Sequence, residues 1–295
     1  MEIRVLRYFW TIAEANSVSK AAEQLHITQP TLSRQLKELE IELGTELFTR
    51  EKNRLKLTEA GLFLKSRAEE ILSLTQRTAQ EFEDRKKDLF SGNIAVGCVE
   101  ADNSDTLSMM LENFVADYPE VTFNIFTATG DDILDHLDKG LIDLAILLEP
   151  VDTEKYNKIV LPRTERWGLL VSKTSFLAEE DVITPKNILG APLIVSGRPA
   201  IRELLDTWVG EQSSQVKVVG NMNLLFNIIS LVERQVGSAL TIEGATTGRI
   251  GAKTKFIPFK PEVKTNCVMV WRKDRVITPA ANEFLKQSKH AFKAW

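Results

Sequence analysis

Only two cysteines and three histidines occur in 295 residues, so the chain has little from which to build a disulfide framework or a thiolate and imidazole metal site. Cys98 and Cys267 stand in apolar, strand-like contexts, AVGCVE and TNCVMV, where buried reduced thiols are expected. His26, His136 and His290 are far apart in sequence, and neither an HExxH nor a CxxC motif is present. The segment GRIGAKT, Gly248 to Thr254, lacks the Gly-Lys pair and the spacing of a phosphate loop. The expectation is a protein without catalytic activity, bound metal or cofactor. Long apolar runs are also missing: nothing approaches the roughly 18 to 20 residues that a bilayer span needs. The opening MEIRVLRYFW interleaves charges with apolar residues, unlike a secretory signal, so a cytoplasmic location without a membrane partner is expected. Nor is there an excess of positive charge. With 37 basic against 41 acidic residues the net charge is −4, which argues against a protein that coats nucleic acid. Reading a sequence needs only local positive charge, and Arg50, Lys52, Arg54 and Lys56 supply it within a short stretch.

What is present suits two or three soluble modules, with 43% apolar and 26% charged residues. From Ile3 to Ala15, the spacing of Ile3, Leu6, Trp10 and Ala13 predicts an amphipathic helix, broken at Asn16-Ser17. Val18, Ala21, Ala22 and Leu25 form a second short apolar face, with Ser17 or Ser19 available as its N-cap. Thr28 can cap a third helix, with Pro30 in its first turn, where a missing N–H costs nothing. Leu32, Leu36, Leu39 and Leu43 line one side of it and Gly44 ends it. At about 100° per residue, Pro30, Ser33, Arg34 and Lys37 project from the opposite, cationic side. The stretch LFTREKNRLKL then reads as two short strands, Glu46 to Thr49 and Leu55 to Thr58, forming a small wing.

A long helical pattern runs from Thr58 to about Asp88, with Leu62, Ala68, Ile71, Leu72, Thr75, Ala79 and Phe82 among its apolar positions. A helix of about thirty residues would reach roughly 45 Å and would pack on a second copy of itself. After Ser91-Gly92 the texture changes to alternating strands and helices, the pattern of an α/β fold with a largely parallel sheet. Strands are expected at Asn93 to Val99, Val121 to Phe126, Leu144 to Leu148, Gly168 to Ser172, Pro192 to Val195 and Cys267 to Trp271. Helices are expected at Asp105 to Tyr118, Asp131 to Ile142, Ala200 to Val209, Leu224 to Arg234 and Pro279 to Ala294.

The stretch RYFWTIAEANSVSKAAEQLHITQPTLSRQLKELEIELGTELFTR, followed by LTEAG, resembles the N-terminal domain of the LysR-type transcriptional regulators without a gap. FVADYPEVTFNIFTATGDDILDHLDKGLIDLAI and VERQVGSAL resemble later segments of that family. The resemblance implies an all-α winged helix-turn-helix at residues 1–58, its motif at Val18 to Lys37, and a dimerising linker helix at 59–89. It further implies an effector domain at 90–295 resembling a periplasmic binding protein, with one lobe at about 91–161 and 266–295 and the other at about 162–265. A small-molecule effector between the lobes, double-stranded DNA, a second copy of the chain within a homotetramer, and RNA polymerase are the partners it implies.

By match to the family, Gln29, Pro30, Thr31, Ser33, Arg34 and Lys37 form the DNA surface. Gln29 and Arg34 suit base edges, because an amide fits adenine and a guanidinium fits guanine. Thr31, Ser33 and Lys37 suit phosphates, and Arg50, Lys52 and Arg54 extend the contact into the wing. Many relatives carry an arginine where this chain has Asn53, which leaves open whether Arg54 takes over that contact. In a two-lobed α/β domain the ligand lies beyond the carboxyl ends of the strands. Three loops fit that place: Glu100 to Ser104, Thr127 to Gly130 and Ser196 to Pro199. Asn221 to Asn223 and Glu243 are further candidates. Ser104, Thr127, Thr129, Ser196 and Arg198 would suit a carboxylate or other anion, with Asn103 and Asn221 in the same candidate effector set. Asp102 and Glu243 would instead favour an amine, or simply cap helices.

Overall fold

The computed structural model describes residues 1–51, 54–86, 92–101, 103–152, 154–248 and 251–293. Two compact units divide the chain, Met1–Lys86 and Lys87–Trp295.

The first unit opens with α1 (Ile3–Ala15), α2 (Val18–Gln24) and α3 (Gln29–Leu43). The local chemistry of the caps sets these boundaries. Asn16 takes a left-handed φ of 49° that ends α1, and the Ser17 hydroxyl accepts the Lys20 amide at 3.4 Å to start α2. Pro30 sits in the first turn of α3, and Gly44 closes that helix in the left-handed region at φ 68°. Leu6, Phe9, Ile12 and Ala13 of α1 are buried with Ala21, Ala22, Leu32 and Leu39. Ile3, placed on the buried stripe by its spacing, is exposed, and Phe9 and Ile12 point inward instead. The reason is that α1 packs on three sides, against α2, α3 and the following long helix, and so needs a broader apolar face.

The wing is an antiparallel pair, β1 (Phe48–Glu51) and β2 (Arg54–Leu57), with Phe48 opposite Leu57 and Arg50 opposite Leu55. Glu40 ties it to α3, one carboxylate oxygen accepting the amides of Leu47 at 2.8 Å and Phe48 at 3.4 Å. Both strands lie slightly off the expected positions because Thr58 serves the next helix as a cap. Its hydroxyl accepts the Gly61 amide at 3.0 Å and donates to the Glu46 carbonyl at 2.8 Å. The helix it caps, α4 (Glu59–Lys86), has 28 residues and spans about 42 Å. Leu64 and Ala68 bury themselves in the unit, while Leu62, Phe63, Ile71, Leu74 and Phe82 face outward.

The second unit contains β3 (Gly92–Cys98), α5 (Asn103–Asp117), β4 (Val121–Thr127), α6 (Gly130–Lys139), β5 (Leu144–Leu148) and the long β6 (Tyr156–Ser172). There follow β7 (Pro192–Ser196), α7 (Pro199–Val209), β8 (Lys217–Met222), a short α8 (Ile229–Glu233) and β9 (Ser238–Ile242). The unit ends with β10 (Thr254–Pro258), β11 (Lys264–Arg272) and α9 (Pro279–Lys293). One lobe is the sheet β4-β3-β5-β11-β6, parallel across its first three strands and antiparallel at β11. Beyond Arg166, β6 leaves β11 and pairs with β9 and β10, while β7 lies parallel to both β8 and β9, giving the second lobe. The chain crosses between lobes twice, within β6 near Trp167 and again where Val263 leads into β11; the Trp167 amide donates to the Val263 carbonyl at 2.9 Å. The helix expected at Leu224 to Arg234 shrinks to a 3-10 turn and α8, because Leu225 is buried and its amide is held by the opposite lobe.

The position of α6 is set at both ends. Gly97 lets it lie close on β3, since a Cβ there would come 2.5 Å from Ile133 and 2.6 Å from Ile142. At its C-terminal end Asp138 accepts hydrogen bonds from the Tyr156 hydroxyl and the Arg272 guanidinium, both at 2.6 Å. Burial alone would raise the Asp138 carboxyl, but those hydrogen bonds and the charges of Arg272 and Lys155 hold it below the usual carboxylate range. Burial and the Asp138 hydrogen bond together push the Tyr156 phenol up.

Candidate functional site

The exposed face of α3 is the first candidate surface. Leu32 and Leu39 turn into the core, and the helical period then places Gln29, Pro30, Thr31, Arg34 and Lys37 in solvent, with Ser33 half-buried beside them. Their own contacts are light. The Gln29 amide donates to Ser33 at 3.2 Å, Thr28 and Thr31 share a 2.8 Å hydroxyl contact, and Arg34 reaches Glu38 at 3.8 Å with 72% of its side chain exposed. Such an exposed pair is worth at most about 1 kcal/mol, so Arg34 is available to a competing acceptor. Arg50 and Arg54 have their backbones in the paired wing strands, but their side chains and all of Lys52 lie outside the described residues.

The second candidate is a cavity of about 100 Å³ between the two lobes of the second unit. One lobe supplies Val99 and Glu100 after β3, Ala128 to Gly130 at the start of α6, and Leu148 at the end of β5. The other supplies Ser196, Arg198 and Ile201 around the start of α7, Met222 at the end of β8 with Asn223 to Leu225 beyond it, Leu240 to Ile242 of β9, and Ala245. Trp167, at the crossover, lines it too, and its indole N–H donates to Thr265 at 2.8 Å. The strands thus end where two helices begin, and both α6 and α7 direct their positive ends inward.

Polar groups across this cleft are already engaged. Arg198 donates from Nε and Nη2 to both oxygens of Asp131, at 3.1 and 2.9 Å. Glu100 accepts the Leu225 amide at 2.8 Å. Thr129 caps α6 and donates to Asp132 at 2.6 Å, while the Ser196 oxygen accepts the Arg198 amide at 3.3 Å. At the crossover Arg166 holds Glu243 by two hydrogen bonds of 2.7 and 2.8 Å, and the buried Glu165 accepts the Gly244 amide at 2.9 Å.

Of the sequence-predicted effector residues, Thr129, Ser196 and Arg198 meet in this cavity. Thr127 lines an adjoining cavity of about 300 Å³ with Cys98, Leu107, Ser108 and Phe226. Asn221 accepts from Arg202 at 2.6 Å, and Glu243 is taken by Arg166; neither lines the interlobe cavity. Asp102, and the side chains of Asn103 and Ser104, lie outside the described residues. Glu100 and Asn223 fall inside predicted loops without being singled out, whereas Trp167 and Thr241 sit on strands whose crossing could not be read from local pattern. Cys98 and Cys267 are buried, and neither forms a disulfide among the described residues. Among the described residues no group of three or more His, Cys, Asp or Glu side chains could hold a metal, and no helix is long and apolar enough to cross a membrane.

Comparison with known proteins bears on both surfaces. Residues 3–62 match the family model described as a bacterial regulatory helix-turn-helix protein of the lysR family, and residues 87–293 match the LysR substrate binding domain. The HTH-type transcriptional regulator BsdA of Bacillus subtilis is 30% identical over 298 residues, covering 97% of this chain and 99% of its own. CzcR of Bacillus cereus, another HTH-type transcriptional regulator, is 27% identical over 291 residues, covering 97% and 96%. Among solved structures, full-length CbnR in complex with its target DNA has a TM-score of 0.74 at 20% identity and covers 98% of this chain and 99% of that one.

Proposed function

The chain belongs to the LysR family of transcriptional regulators, and from that premise we propose how its two surfaces divide the work of a DNA-binding domain and an effector-binding domain. Residues 1–58 read the operator, residues 59–89 pair with a second copy, and residues 90–295 sense the effector. The observation that carries this reading is the exposed face of α3 opposite Leu32 and Leu39. The N-terminal part of such a helix enters the major groove, where Gln29 contacts adenine and Arg34 exchanges Glu38 for guanine. Pro30 packs close to the groove edge, Thr31, Ser33 and Lys37 hold phosphates, and Arg50, Lys52 and Arg54 add the charge of the wing.

With a net charge of −4, one reader binds weakly, so affinity depends on joining several readers in one assembly. The outward apolar side chains of α4 support pairing, and a tetramer built from two such pairs is the assembly we infer. The setting is the cytoplasm, and RNA polymerase is the partner through which bound DNA becomes a change in transcription.

The effector is a small anion held between the lobes by Thr129, Ser196 and Arg198. Asp102, Asn103, Ser104, Thr127, Asn221 and Glu243 are the further effector contacts we infer. The effector must prefer one quaternary arrangement over another, because a ligand with equal affinity for both shifts nothing. Genome-wide mapping of bound DNA, followed by footprinting of the full chain, tests the reading. Protected sites with two-fold related halves are expected, and uniform binding with no enriched sequence would refute it. Calorimetry of the full chain against a metabolite panel tests the effector class, and binding confined to cations would remove the anion site.

A further inference from the structure

An arginine that lines the interlobe cleft is already paired with one of the protein's own carboxylates. Arg198 caps the start of α7 in one lobe and lines the cavity, while Asp131 lies in the first turn of α6 in the other. The guanidinium presents its Nε and Nη2 edge to the two oxygens of Asp131 at 3.1 and 2.9 Å, the parallel geometry in which arginine recognises a free carboxylate. It does so directly over the beginning of α6, for a Cβ on Gly130 would stand 3.1 Å from Nη1. Arg198 is thus held between the positive ends of two helices. Asp131 is itself outside the cavity lining and 62% exposed, against 28% for Arg198, so the partner that is easily solvated is the aspartate.

On the reading of this cleft as an effector site, we propose that Asp131 is an internal stand-in for the effector. A small monocarboxylate with an apolar body displaces it from Arg198. The arginine offers one fork, which fits one carboxylate. Behind it the walls are mainly apolar, including Val99, Leu148, Trp167, Ile201 and Ile242, and the volume of about 100 Å³ admits a compact body. A second negative charge on the ligand would meet Glu100, whose carboxylate lines the same cavity and is anchored on the Leu225 amide. Dianions are therefore selected against. The exchange trades one bidentate carboxylate for another, and a released Asp131, already largely exposed, is hydrated at the head of α6.

The test is calorimetry on the full-length wild type, Asp131→Asn and Arg198→Gln, with benzoate and 3-methylbutanoate as probes, their primary amides as neutral controls and succinate as the dianion. Wild type should bind the two monocarboxylates in preference to succinate and the amides. Asp131→Asn should tighten the monocarboxylates by about three- to tenfold, and Arg198→Gln should weaken them by about tenfold or more. Thermal unfolding guards against a folding artefact, and Asp131→Ala repeats the competitor test without an amide side chain. Equal affinity in wild type and both Asp131 variants, with loss in Arg198→Gln, would overturn the exchange while leaving the anion cleft intact. Amides or succinate binding as tightly as the monocarboxylates would overturn the ligand class. Failure of the wild type and of every variant to bind any of these anions would overturn both this proposal and the reading beneath it.

Discussion

Glu100, just beyond the end of β3, accepts the backbone amide of Leu225 from the opposite lobe at 2.8 Å. Leu225 is 4% exposed, so removing the carboxylate leaves a buried N–H without that acceptor. Glu100→Ala is expected to cost about 1 to 3 kcal/mol, read as a lower urea midpoint for the effector-binding unit. An unchanged midpoint would mean that water takes over the amide at no cost.

On α3, Arg34 and Lys37 should respond differently to substitution. Arg34→Ala is expected to cost about 1 to 3 kcal/mol on the matched operator and to relax discrimination at one base pair. Lys37→Ala should weaken matched and mismatched sites alike and reduce the magnitude of the salt slope by about one. Salt titrations of both variants on both sites separate base reading from phosphate holding.

The outward side chains of α4 predict an assembly that charge can break. Ile71 and Leu74 are 38% and 41% exposed within the unit, and the double variant Ile71→Glu, Leu74→Glu should shift sedimentation toward single chains. Because joined readers gain avidity of about 10² or more, apparent operator affinity should fall by that order. Full retention of the wild-type assembly would place the pairing surface elsewhere.

Acid should act through Asp138 and Glu149. Glu149 is held below the usual range by the Lys158 hydrogen bond and then by that of Asn266, with burial opposing; Asp138 is lowered despite its burial. A carboxylate whose folded value is depressed contributes stability above its unfolded value, about 4, and loses that contribution as pH falls through the folded value. Stability in urea should therefore decline below about pH 4. Tyr156→Phe removes one of the lowering hydrogen bonds, so the Asp138 part of that acid-side loss should shrink, while stability near neutral pH drops by about 1 kcal/mol after allowance for solvent exposure.

The winged helix-turn-helix is legible in sequence because its boundaries are local: Ser17, Pro30 and Gly44 act on neighbours within one turn. The strand at Leu144–Leu148 is equally plain, being apolar throughout. Half of β6 is not. Its segment before Gly168 mixes buried and exposed residues without a period of two, carries several charges and includes Pro162, so only the continuously buried Gly168 to Ser172 reads as strand. The cleft follows the same division. Thr129, Ser196 and Arg198 belong to helix starts and can be found from capping chemistry, whereas Trp167 and Thr241 enter through the register of β6 against β9. Asp131 looks like an ordinary first-turn acid, and its role depends on an arginine 67 positions away.

The two crossings between the lobes lie side by side at Trp167 and Val263, tied to each other by a hydrogen bond. Joined strands of this kind act as a strap: they bend and twist readily, but resist sliding because sliding would break the ladder between β6 and β11. Whatever fills the cleft therefore meets two lobes whose chain connections both run through this one strap, so a ligand that reorients the lobes must do so about it. Effectors of different shape would then be expected to differ in how they bend and twist this strap.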